Sequence, residues 1–137
     1  MHFLLPMFPA EFELPDDWWA EAGMTGFTPI ARSFRSTAEA TLILLRDIEP
    51  PFRNATAPKD WRGFRRADMI SVFSGIATGA EIEPVPVTDM PQPREPSDPS
   101  LSWTVPRSPF RYRVKDGYHR FYASVAAGFE CLPVLIS

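Results

Sequence analysis

The chain has 137 residues, about one domain at the usual size of roughly 100–200 residues. It is 45% hydrophobic and 23% charged, and its formal net charge of −3 leaves no basic excess to hold a nucleic-acid backbone. The 16 prolines, against 7 glycines, exclude a long helical bundle, a coiled coil and a solenoid, because proline fits neither helix interiors nor central strands.

The single cysteine, Cys131, rules out an internal disulfide framework and fits a reducing, cytoplasmic setting. His2, His119 and Cys131 are too few for a four-ligand Cys/His zinc site. The opening MHFLLPMFPAEF is apolar but short, lacks a basic leader and is broken by Pro6 and Pro9. It is expected to be mature chain and not a signal peptide. No stretch is apolar over the length of a membrane span. Apart from Lys59 and Lys115, the basic residues are arginines, whose forked guanidinium groups suit phosphates and carboxylates.

In chain order, Asp16-Asp17 before Trp18-Trp19-Ala20-Glu21-Ala22 predicts a short helix stopped by Gly23, with the tryptophans as a packing anchor. Thr28 to Arg35 is expected as a strand. The apolar run of residues 40–48 predicts one buried strand, with an extended exit at Pro50-Pro51. Over residues 61–76, Trp61, Phe64, Met69, Val72, Phe73 and Ile76 recur at helical spacing, with Arg62, Arg65, Arg66 and Asp68 between them. This predicts an amphipathic helix ending near Gly75 or Gly79. Residues 82–87 alternate as a strand, which Pro84 and Pro86 should confine to an edge or a sheet end. Residues 88–109 hold six prolines and no hydrophobic periodicity, so they read as a long exposed loop or insertion. The last part predicts a strand from Phe110 to Val114, a turn at Lys115-Asp116-Gly117 and a helix ending at Gly128. Leu132 to Ile136 follows as a final strand, the economy of a right-handed crossover.

The chemistry concentrates at Asp116-Gly117-Tyr118-His119-Arg120, where strand gives way to helix. The first N–H groups of a helix lack intrahelical partners and carry partial positive charge, so an anion is stabilised there. Gly117 permits close backbone approach. His119 and Arg120 add side-chain donors in the same turn. Asp116 has three roles open to it: capping the helix, holding a metal on the phosphates, or orienting an attacking hydroxyl.

Residues 112–136, YRVKDGYHRFYASVAAGFECLPVLI, resemble the closing motif of the ParB/sulfiredoxin-like superfamily. There a strand leads into G-x-H-R or G-E-R-R, a helix with an early Ala, a Gly, and a strand opening on Ile/Leu-Pro-Val. Leu42–Asp47, Ile70–Gly79 and Ile82–Val87 resemble its earlier strand, helix and strand. The resemblance implies an α+β fold, a small mixed sheet with two or three packed helices. That domain would span 40–137, with a Pro-rich insertion at 88–109 and residues 1–39 as an extension packed on it.

The members differ in function. Sulfiredoxins place a cysteine where Tyr118 stands, so sulfinic-acid reduction is not expected. Partition proteins of the ParB type carry G-E-R-R and a following DNA-binding module; the first Arg of that motif is His119 here. The free serine kinases carry D-G-H-H-R, which Asp116 to Arg120 match except at Tyr118. The implied site is then Gly117, Tyr118, His119 and Arg120 on nucleotide phosphates, with Asp116 and Glu49 as catalytic candidates. Asp116 would also hold Mg²⁺ beside ATP, ADP or CTP. The expected function is nucleotide binding, with phosphoryl transfer or hydrolysis if there is turnover. One alternative is a nucleotide-regulated adaptor that meets a protein partner through residues 1–39 and 88–109. Another is a DNA-partition or nuclease-related relative. Nucleic acid and membrane are not expected as partners.

Overall fold

The structure, a computed structural model, describes residues 1–5, 11–53, 61–90 and 110–137. These form β1 (His2–Leu4), β2 (Glu11–Glu13), α1 (Asp16–Glu21), β3 (Thr41–Leu44), β4 (Ile48–Glu49), α2 (Arg66–Thr78), β5 (Val85–Asp89), β6 (Tyr112–Val114), α3 (Tyr118–Ala127) and β7 (Cys131–Ile136). Strands β1 and β2 pair alone as a small antiparallel sheet. The other five form a mixed sheet in the order β3-β7-β5-β6-β4. The molecule is a compact α+β domain, as its sequence predicts. None of its described helices is long and apolar enough to cross a membrane.

The connection between β3 and β4 dictates the shape of this sheet. The two strands stand at opposite edges, yet only a 3-10 turn, Leu45–Asp47, separates them. Extended chain covers at most about 3.6 Å per residue, so the step from Leu44 to Ile48 spans roughly 14 Å at most. The edge strands of a flat five-stranded sheet would stand about 19 Å apart, four spacings of roughly 4.8 Å. The sheet must therefore curl until its edges nearly meet. The turn is tied on both sides: Leu45 N–H donates to the Glu130 carbonyl (3.0 Å), and Arg111 N–H donates to that of Asp47 (2.8 Å). Leu45 and Ile48 are buried beneath it. The run 40–48 is thus two short strands and a turn, not the single strand its apolar continuity predicts.

Inside the curl lies α3, buried on nearly every face through Phe121, Tyr122, Ala123, Ser124, Ala126 and Ala127. Helix α2 packs on α3, and α1 packs on α2. Helix α2 starts at Arg66, later than its periodicity predicts, because Arg62 (φ 43°) and Gly63 (φ 91°) turn the chain sharply between Trp61 and Phe64. It ends in a left-handed cap at Gly79, the second of the two stops that the sequence offers; Gly75 lies within the helix. Within residues 1–39, Trp18 is buried, and Trp19 meets Phe73 edge-on (5.3 Å) and Phe3 at a tilt (5.9 Å). Phe12 meets Tyr122 edge-on at 5.1 Å. Both tryptophans pack against the body of the domain, as expected of a packing anchor.

Three local expectations differ. Residues 28–35 form no strand, but their backbone still serves the sheet: the Arg32 carbonyl accepts the N–H groups of Glu130 and Cys131, and that of Arg35 accepts Ile82 N–H. Strand β5 is interior, flanked by β7 and β6, and not an edge. The prolines are tolerated because Pro84 precedes the strand and Pro86 is its second residue. The Pro86 carbonyl accepts Lys115 N–H, just past the last residue of β6, so the missing donor of Pro86 falls where that ladder has ended. The unit from β6 through α3 to β7 is not a crossover between parallel strands. Strand β5 runs parallel to β7 and antiparallel to β6, so β6 and β7 oppose one another with β5 between them. Of the predicted Pro-rich loop, residues 91–109 lie outside the described residues, and β5 continues through Asp89.

If the turn at residues 45–47 holds the curl, truncating its buried anchor should unfold the protein far more readily than truncating the adjacent strand. Leu45→Ala should cost about 2–5 kcal/mol in denaturant unfolding. Leu42→Ala, on an exposed side chain of β3, should stay within about 0.5 kcal/mol of wild type. Equal losses would contradict the assignment.

Candidate functional site

A cavity of about 330 Å³ opens where α3 begins, against the first turns of α2. Its lining is Asp116, Gly117, Tyr118, His119 and Arg120 from the β6–α3 junction, with Asp68, Ser71 and Val72 from α2. The structure thus gathers five of the six residues singled out in the sequence. It does not bring in Glu49, which lies on edge strand β4. Glu49 is registered beside Arg113 and takes its guanidinium at 3.2 Å.

Gly117 is the N-cap of α3, at φ 132°, and no side chain caps the helix. Asp116 therefore leaves the capping role unfilled. A Cβ at Gly117 would lie 2.7 Å from Val85 Cγ1 and 3.1 Å from Cγ2. Glycine is required here first by the close approach of the turn to β5, and also by a dihedral that side chains rarely adopt.

The side chain of Arg120 reaches across the same junction. Its Nη1 donates to the carbonyls of Glu83 and Pro84, both at 2.9 Å, and Nη2 donates to that of Asp116 at 3.4 Å. It clamps the entry of β5 to the first turn of α3. Its charge remains at the cavity wall, but much of its donor capacity serves the fold.

His119 links the two helices. Its Nε2 accepts the N–H of Arg65, the N-cap residue of α2, at 3.0 Å. An imidazole that accepts at Nε2 carries its proton on Nδ1 when neutral. That Nδ1 lies 3.9 Å from Asp68 Oδ2. Burial holds the pKa of His119 below its ordinary value; Asp68 opposes the shift and Arg65 adds to it. The ring also packs edge-on against Tyr118 at 5.0 Å. Tyr118 itself leans on Phe64 and Tyr122, and burial raises its pKa. Its hydroxyl is buried with no hydrogen-bond partner among the described residues.

Asp68 and Ser71 are the residues sequence reasoning missed. They stand three apart on α2, so they share a helix face, and both are exposed. Asp68 was visible among the polar positions of the periodicity; Ser71 and the meeting with α3 were not. Among the described residues no three His, Cys, Asp or Glu side chains converge to hold a metal unaided. Two carboxylates on one cavity do suit Mg²⁺, which takes one or two of them and draws its other ligands from phosphate and water.

The His119 contact carries a pH signature. Protonation at Nε2 would set one donor against another, so the folded state resists it. The unfolded chain, with the ordinary value of 6.5, takes up the proton first. Stability from this contact is therefore full above that value and is lost as pH falls through it toward the lower folded one. Unfolding of wild type and His119→Gln, compared from about pH 7.5 to 5, should show the wild type losing stability more steeply. Parallel curves would contradict the role given to the neutral ring.

No family model matches the chain, and neither the curated proteins nor the solved structures yield a match.

Proposed function

We propose that the protein binds a nucleotide by its phosphate chain at the N-terminus of α3, with Mg²⁺ shared between the phosphates and Asp116. The observation that carries this reading is the cavity itself. It sits on a helix start that no side chain caps, beside the charge of Arg120 and the Nδ1–H of His119. First-turn N–H groups and the helix dipole stabilise an anion there. The resemblance of Asp116–Arg120 to the phosphate-binding turn of ParB/sulfiredoxin-like proteins supports the same reading.

Charge decides the form of the ligand. Asp68 and Asp116 both face the cavity, so a bare triphosphate would meet two carboxylates. At about 5 Å, like charges repel by several kcal/mol at an effective dielectric constant near 20. A divalent cation turns that repulsion into ligation. Bound there, Mg²⁺ would neutralise the phosphate charge; the chain's own residues position the phosphates and exclude unpaired anions. The second acid named from sequence, Glu49, is paired to Arg113 away from this cavity. That placement favours binding and regulation, with the nucleotide as a signal read by a partner, over rapid turnover.

The test is thermal stability with ATP, ADP, CTP and GTP, each with and without Mg²⁺. At least one nucleotide should raise the melting temperature, only with Mg²⁺. Ser71→Trp, which fills the cavity from an exposed position, should abolish the shift while leaving the unliganded melting temperature unchanged. Asp116→Asn should weaken the requirement for Mg²⁺. Arg120→Ala is the poorer probe, since it also removes bonds that hold the fold, worth about 1 kcal/mol each. No shift with any nucleotide, or a shift that survives Ser71→Trp, would overturn the proposal.

A further inference from the structure

A second cavity, of about 410 Å³, lies at the other end of α2. One wall is the last turn of that helix, with Ile76 and Ala80. The facing wall comes from residues 27–35 and the segment after α3. Phe27 and Phe129 meet edge-on there at 5.9 Å, and Phe34 is buried behind them. The volume falls within the roughly 300–1,000 Å³ of small-molecule sites.

Several polar groups around this cavity are already engaged, and Ser33 Oγ donates to the Phe34 carbonyl at 2.9 Å. The Thr78 hydroxyl donates back to the carbonyls of Ser74 and Gly75. The N–H groups of Gly79 and Ala80 close the helix cap. The neighbouring Arg32 is paired with Glu130. Arg35 lines the cavity from an exposed position, and its guanidinium has no hydrogen-bond or ion-pair partner among the described residues. An aromatic slot with one unmatched forked cation calls for an apolar body carrying one carboxylate.

We infer that this cavity binds a small aromatic carboxylate, its ring against Phe27 and Phe129 and its carboxylate on Arg35. The site is separate from the α3 cavity and does not depend on nucleotide binding. A neutral ligand of the same shape would gain the aromatic contacts but not the charge-assisted pair.

Naphthalene-1-acetate and its uncharged amide separate these contributions, with binding to the full chain followed by calorimetry. The acid should bind one to one, about tenfold more tightly than the amide, the discrimination expected of one partly exposed charge-assisted pair. Arg35→Gln should erase the difference and leave amide binding unchanged. Ala80→Trp, on an exposed residue, should block both ligands without lowering the melting temperature. Amide-resolved NMR should place the acid's shifts at Phe27, Ala80 and Phe129. Equal affinity for acid and amide, no binding of either, or shifts confined to Asp116–Arg120 would overturn the inference.

Discussion

The short tie between β3 and β4 constrains everything else in this fold. Three residues carry the chain from one edge of a five-stranded sheet to the other, which a flat sheet does not allow. Curling creates a concave face, and the interior side chains Leu132, Val134, Val85 and Val87 line it without exposure. That face takes α3, whose small and aromatic residues are buried almost all round. Hydrophobic burial of this kind fixes where the helix lies, while backbone bonds at Leu45 and Arg111 fix how far the sheet closes.

Seating α3 also determines the chemistry. Its first turn emerges where β5 begins, and Gly117 passes so close to Val85 that no side chain fits. Arg120 and His119 then secure that turn in two directions, one toward β5 and the other toward the start of α2. The result is a helix N-terminus held open at the surface, with the carboxylates of Asp68 and Asp116 at its mouth. Two of the polar side chains at this cavity, Arg120 and His119, are thus structural members. Cavity and scaffold share these residues, so a substitution at Arg120 or His119 also removes bonds that hold the fold.

Local chemistry was legible from the sequence; pairing between distant segments was not. The stops at Gly79 and Gly128 were readable because glycine takes the left-handed cap at no steric cost. The short helix before Gly23, the helix from Tyr118 and the concentration of functional groups at Asp116–Arg120 were readable for similar reasons of spacing and capping. The split of residues 40–48 was hidden, because apolar continuity looks alike in one strand and in two strands about a buried turn. The interior position of β5 was masked by Pro84 and Pro86, since their effect depends on where a neighbouring strand ends. The placement of Glu49, and the arrival of Asp68 and Ser71 at the site, follow from contacts across the fold that no periodicity encodes.

Native-state hydrogen exchange at single amides tests the closure most directly. If the tie holds the curl, the amides of Leu45 and Arg111 open only with the whole domain, at the same free energy as the slowest amides of β5 and β7. If they exchange as readily as the exposed ends of the chain, the sheet is open at that seam, and the tie does not hold the curl.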